Sequence, residues 1–282
     1  MIIIDEPHAK EFLEYCSYYR FCGYALHFEY LDNNGERTHR YKPDTSFEVV
    51  EQLYHFDAAL RRLIFHYTTL IEVSFRTTLG NISAQFYTNA HWYMNEDCFI
   101  DKVKYNEFIQ MCEKEVKNSR EIFIKNYTKK YSFPQLPPIW MLTELMSFAT
   151  WSKLYQNLAN KALKDLIAEK YNVPYKYLSS WLQALTVLRN SCAHHARIWN
   201  RNFTQAPRLS KRKKTKMIDG QYKKIFSLLL IIYDLLSKLN RENDFCSDLT
   251  KLFEQYPKIN IRNLGFPARP DIIFYENIHE NN

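Results

Sequence analysis

After Thr45 and Glu48, which stand at capping-box spacing, Val49, Leu53, Phe56, Leu60, Leu63, Ile64, Tyr67 and Ile71 recur every three or four residues. This is the period of a helix with one apolar face, and it predicts a single amphipathic helix about 35 residues long. The composition extends that reading to the whole chain. Only 5 glycines stand against 21 tyrosines and 19 phenylalanines, which disfavours sheet-and-turn architectures and favours packed helices. With 282 residues, 46% of them hydrophobic, the chain has enough apolar side chains for a sizeable core.

The other elements are expected as follows. "EPHAKEFLEYCSYYRFCGY" reads as one helix, and "LDNNGERTHRYKP" after it as a turn or short hairpin. Residues 1–44 thus form a small N-terminal appendage, and 45–282 the main helical domain. "FPQLPP" at 133–138 stops what precedes it, and "IWMLTELMSFATWSKLYQNL" then supplies one helix. Another runs from near Pro174 to before Pro207, followed by an exposed basic loop, "RLSKRKKTK". Tyr222 to Leu239 make the last long helix, ahead of a proline-containing tail, "LGFPARPDIIFY". The fold class is therefore all-α, a helical bundle with an appendage.

Six cysteines lie scattered without CxxC spacing, no secretory signal opens the chain, and the longest apolar run, "FSLLLIIYDLL", is too short to cross a bilayer. The expectation is a cytoplasmic protein with no membrane partner. A net charge of +7 tilts the choice of partners toward polyanions without naming one.

Chemistry concentrates in "LRNSCAHHARIWNR", Leu188 to Arg201. Read as a continuous helix, this segment puts Trp181, Leu185, Leu188, Cys192 and Trp199 in one stripe. Asn190, His194, Arg197 and Arg201 fall in another stripe, with His195 bordering the apolar side. Solvated faces usually carry Lys and Glu, but this one carries Asn, His and Arg, and no acid occurs between Lys176 and Asp219. Arginine clamps phosphate oxygens and histidine moves protons near neutral pH, so the set suits phosphate chemistry. Two other Arg-to-His spacings, Arg20 to His27 and Arg61 to His66, read as structural, with Arg61 explained by an i,i+4 pair with Asp57. Cys192 reads as a buried thiol, and Glu144 as a buried partner for an arginine.

Three blocks, "YCSYYRFCGYALHF", "LPPIWMLTELMSFATWSKLYQNL" and "LTVLRNSCAHHARIWNR", with "LGFP" at 264–267, resemble bacterial abortive-infection (Abi) proteins of the AbiD/AbiF type, within the HEPN superfamily. The third block is the most specific, carrying Arg189, Asn190, Ala193, His194, His195, Arg197, Trp199, Asn200 and Arg201 of the family pattern. The family usually has a further helix before the first block, where only about a dozen residues stand here, so that helix's role is not carried over. The resemblance implies a HEPN-like bundle, a toxin role in phage defence, and RNA cleavage at the Arg-Asn-x3-His motif. A partner, such as a small structured RNA antitoxin or another inhibitor, would hold the toxin silent.

Metal-free cleavage of RNA needs a base for the 2′-hydroxyl, a cation for the charge building on phosphorus and an acid for the leaving oxygen. His194 suits the base or acid, Arg189 the charge and Asn190 the orientation, with 2′,3′-cyclic phosphate as product. His195, Arg197, Asn200 and Arg201 would support them, as would Glu72 and Arg76, an i,i+4 pair matched in the family. Because one protomer supplies only part of this set, a homodimer is expected. Lys211, Arg212, Lys213 and Lys214 would steer RNA. No cofactor is expected and no metal, since adjacent histidines about 100° apart on a helix grip one ion poorly and no HExxH or paired CxxC occurs. Two other functions fit the same residues: a HEPN protein that binds RNA or nucleotide without cutting, and a structural helical adaptor.

Overall fold

The computed structural model describes residues 1–239 and 243–267; of the expected tail, residues 268–275 lie outside them. Among the described residues there are twelve α-helices and one two-stranded antiparallel hairpin, so the all-α expectation holds. The helices are α1 (Glu6–Tyr15), α2 (Tyr18–Ala25), α3 (Phe47–Tyr87), α4 (Lys102–Asn118), α5 (Ile122–Lys130) and α6 (Ile139–Leu145). After them come α7 (Phe148–Asn157), α8 (Lys161–Glu169), α9 (Tyr175–Ala193), α10 (Lys211–Thr215), α11 (Ile225–Leu236) and α12 (Phe245–Gln255). The hairpin pairs β1 (Glu29–Leu31) with β2 (Arg37–Tyr41). No described helix is long and apolar enough to cross a membrane.

α3 is the spine. It runs 41 residues, longer than the periodicity predicted, and α2, α6, α7, α8, α9, α11 and α12 all pack on it. Its cap is Ser46, one residue after the expected Thr45, with Ser46 Oγ accepting the Val49 N–H at 3.4 Å. The buried stripe holds Val50, Leu53, Phe56, Leu60, Ile64, Ile71, Phe75 and Leu79, and at the same helical period three charged residues, Asp57, Arg61 and Glu72. Charges in a core are costly unless paired, and both pairs involved here reach into the α9 region.

Several expected helices are shorter than the periodicity suggested, and serines mark two of the breaks. The N-terminal segment divides at Ser17, which caps α2 by accepting the Arg20 N–H. The segment 139–158 divides at Ser147, which caps α7 in the same way through Thr150 N–H. α6 also crosses α3 closely, at Gly80, where an added Cβ would sit 3.3 Å from Thr143 Cγ2. The last long helix spans only Ile225–Leu236, and α12 follows it. The basic run is no loop: Ser210 caps the short α10.

The N-terminal 44 residues are fastened to the main bundle. Phe21 stacks on Phe47 with centroids 4.4 Å apart, and Phe12 meets Phe47, Phe21 and Tyr54 edge to face. These contacts hold α1 and α2 against the start of α3, and Arg20 and Gly23 of α2 meet the segment that follows α9.

Candidate functional site

The helix expected to continue toward Pro207 stops at Ala193. The Ala196 N–H reaches back to Ser191 O at 2.9 Å and the His195 N–H to Cys192 O at 3.1 Å. This is the bond pattern of a Schellman cap, with His195 in the left-handed position (φ +55°) where glycine is usual. Beyond Ala193 the helical stripes expected from the sequence therefore do not apply. His195 does not border the core: His194 and His195 are both exposed, on a tight turn at the open end of α9.

From this turn the chain runs inward, because Ile198 and Trp199 are buried. Their backbone N–H groups would be stranded without acceptors, and Asp57 of α3 takes both, through Oδ1, at 3.3 and 2.7 Å. Its Oδ2 accepts the Tyr24 hydroxyl at 2.7 Å and pairs with Arg61. Burial pushes the Asp57 carboxyl upward; Arg61 and the Tyr24, Trp199 and Ile198 donors pull it back down. Asp57–Arg61 is thus the expected i,i+4 pair, and it also anchors the motif loop.

Other contacts hold the loop from the appendage. The Arg20 guanidinium donates to His195 O and that of Arg197 to Gly23 O. The His27 ring meets Trp199 edge to face at 4.4 Å and lies 3.5 Å from the Asn200 amide. Asn200, also left-handed at φ +52°, is gripped by Lys224, whose Nζ donates to its Oδ1 at 2.7 Å. Lys224 in turn packs on Gly265, where any Cβ would lie 2.7 Å from Lys224 Cβ. The "LGFP" block thereby supports the loop from a distance. Arg20 and His27, read from sequence as structural, are part of the frame that holds the loop.

Glu72, buried at 3% exposure, ties a second group together. Its Oε1 pairs with Arg76 and its Oε2 accepts Arg189 Nε at 3.2 Å. Arg189 also lies over the Phe65 ring at 5.3 Å and 3.4 Å from Asn190 Oδ1. Its side chain remains 31% exposed, so the guanidinium is fixed on one edge and open on another. Arg189, Asn190, Glu72 and Arg76 thus come together at the end of α9, one turn before His194. Arg201 donates to Ser191 Oγ at 3.3 Å and lies over Phe203.

The basic run sits elsewhere. Lys213 pairs with Asp234 of α11 and lies 6.0 Å from the Trp181 ring centroid. Trp181 is eight residues before Arg189, about 12 Å along the α9 axis. Lys214 lies over Tyr222. Glu144, expected to be a buried partner for an arginine, is exposed. Cys192 is buried, which pushes its thiol up to about 12. No cluster of three or more His, Cys, Asp or Glu side chains able to hold a metal occurs among the described residues.

The arrangement offers phosphate a fixed, half-open guanidinium with an exposed imidazole beyond it, on a turn pinned from below. Comparison with curated proteins and with solved structures returned no match. A family model described as Abi-like protein matches residues 11–200, 190 of the 282 residues, from α1 through the whole Arg189–Asn200 segment. The chain belongs to the Abi-like protein family.

Proposed function

We propose that this protein is a metal-independent endoribonuclease of the HEPN type and acts as an abortive-infection toxin against phage. The observation that carries the reading is the pairing of Arg189 with the buried Glu72 while His194 stands exposed one turn further on. A guanidinium held on one edge keeps its other donors aimed, which suits a group that must stabilise charge as it develops on phosphorus. His194 acts as base or acid at the ribose and leaving oxygens, and Asn190 orients the phosphate. Membership in the Abi-like family supports the phage-defence side of the reading.

A second copy of the chain completes the site in this reading. Phe65, 36% exposed, and Val73, 54% exposed, lie with Thr69 along the face of α3 beside Arg189, an apolar strip suited to a twofold seam. The setting is the cytoplasm, with a small RNA or another inhibitor as antitoxin.

The test is RNA cleavage by purified wild type and His194→Ala, with and without EDTA, and with the 3′ ends mapped. Wild type should leave 2′,3′-cyclic phosphates in both conditions and His194→Ala should leave RNA intact. Equal cleavage by the two proteins would overturn the reading.

A further inference from the structure

The loop that begins with His194 and His195 goes on to form one wall of a separate cavity of about 350 Å³, whose other walls are the end of α2 and the β1–β2 hairpin. Three cations line it: Arg37, Lys42 and Arg197. Arg37 and Arg197 each donate to one backbone carbonyl, of Leu26 and Gly23 respectively. Those bonds fix the guanidiniums while leaving further N–H donors on each. His27, also in the wall, is held down to about 4 by its burial and then by Lys42, Arg197, Arg37 and Lys224. Burial is the larger cause, and the neighbouring cations add to it.

One acid breaks that sign. Glu29 lines the same cavity, is 93% buried (7% exposed), and its Oε2 has no hydrogen-bond partner. Arg37 stands at ion-pair distance, 3.9 Å, and the His39 ring at 4.0 Å, both beyond hydrogen-bond reach. A buried carboxylate oxygen without a donor is costly, and a site built for phosphate alone would exclude it. Its natural complement is a ligand that carries N–H donors as well as an anion.

We propose that this cavity binds a guanine nucleotide, with its phosphate on Lys42 and Arg197 and its base edge on Glu29. Guanine offers two adjacent N–H donors, N1–H and the N2 amino group, to one carboxylate. Adenine places a bare ring nitrogen beside its amino group, and uracil flanks its single N–H with two carbonyl oxygens that the carboxylate repels. Tyr30 and Leu31, both exposed in the wall, supply an apolar surface for the purine. The volume lies at the lower end of small-ligand pockets, roughly 300–1,000 Å³. Arg197 and Trp199 belong to the loop that positions His194, so occupancy bears on the turn at the end of α9. That regulatory meaning rests on the ribonuclease reading, whereas the binding does not.

The ligand is either a free nucleotide or the terminal guanosine of an RNA chain, and both present the same groups. The test is calorimetric titration of the full chain carrying His194→Ala, which keeps RNA intact and makes the readout independent of cleavage. The titrants are GMP, AMP, inorganic phosphate and a short RNA with a 5′-phosphoguanosine end. GMP should bind more tightly than AMP or phosphate. Lys42→Gln, on the exposed hairpin side, should weaken GMP by about tenfold or more. Glu29→Gln, nearly isosteric, should retain phosphate affinity and lose the preference for GMP over AMP. A free nucleotide is the ligand if GMP binds and the RNA end does not compete; competition by the RNA end assigns the site to RNA termini. Melting curves of each variant establish that it is folded before it is titrated. Phosphate binding as tight as GMP, or GMP and RNA affinities unmoved in the folded variants, would overturn the proposal, as would an absence of binding by GMP and RNA alike.

Discussion

Asp57 on α3 accepts the backbone N–H of Trp199 at 2.7 Å, and this bond fixes where the motif loop turns into the core. The same carboxylate neutralises the buried Arg61. Asp57→Ala should therefore be among the most damaging single changes in the chain. Removing one partner of a buried pair costs about 3–5 kcal/mol, because the remaining charge stays buried without compensation. Chemical denaturation should show that loss, with Asp57→Asn milder because an amide oxygen still accepts from Trp199. A loss under 1 kcal/mol for Asp57→Ala, roughly the range of a surface change, would mean that the loop does not depend on this anchor.

The two histidines should separate by activity and not by stability. Both are exposed, so His194→Ala and His195→Ala should each melt within about 0.5 kcal/mol of wild type, the usual range for surface substitutions. His194→Ala should lose about 10²–10⁴-fold in cleavage, the contribution of a positioned acid–base group. His195 engages Arg20 through its backbone carbonyl, which alanine retains. His195→Ala should consequently be the milder of the two in RNA cleavage. If His195→Ala were the inactive variant, the catalytic role would pass to that residue.

These outcomes turn on features that the sequence displays unevenly. The α3 periodicity, the proline stops and the hairpin turn are written in local spacing, and the structure follows them. The end of α9 is not, because the left-handed cap position is filled by His195 where glycine would have signalled a stop. Asp57 and Glu72 look like ordinary i,i+4 partners in one dimension. Their burial, and the chain segment that each one grips, depend on how α9 packs across α3. Arg20 and His27 are further from legibility still, since 175 residues separate Arg20 from the carbonyl it holds. Their sign in the sequence is only the "YCSYYRFCGYALHF" block, which carries family resemblance without saying what it touches.

Glu72 should prove more important than either arginine it holds. Glu72→Gln leaves Arg76 and Arg189 facing each other without the charge that balances them. The expected cost is about 1–3 kcal/mol, below that of a fully buried pair because both arginines reach solvent. Arg76→Ala leaves Glu72 to Arg189 and should cost less. Cleavage per folded molecule should fall in Glu72→Gln as Arg189 loses its orientation. Unchanged turnover in a folded Glu72→Gln protein would remove the orienting role.

His27 gives the fold an acid-sensitive point. Its pKa is lowered from 6.5 to about 4 in the folded chain, so the native state favours the neutral ring. The stability this provides is complete above pH 6.5 and is lost as pH falls toward 4, where the unfolded chain takes up a proton that the folded one resists. Urea titrations at pH 7 and pH 4.5 should show a larger drop for wild type than for His27→Gln. Equal drops would show that the ring titrates normally.

The basic run should divide into two kinds of residue in RNA binding. Lys213 pairs with Asp234 and both side chains are largely buried, at 24% and 26% exposure, whereas Lys211 is exposed. A lysine held by its own acid releases few counterions when RNA arrives. Lys213→Ser should accordingly leave the slope of log affinity against log salt nearly unchanged and lower stability by up to about 1 kcal/mol, as expected for an incompletely buried pair. If Lys211 contacts phosphate, Lys211→Ser should flatten that slope by ~0.7, the value for one contact to single-stranded RNA, and leave melting unaffected. Fluorescence-anisotropy titrations in a His194→Ala background at several salt concentrations measure both. A slope unmoved by Lys211→Ser would take Lys211 out of the RNA-binding surface and shift attention to Arg197, Arg201 and Arg76 around the motif. A slope flattened by Lys213→Ser would show instead that RNA displaces Asp234, making the α10–α11 contact part of the binding event.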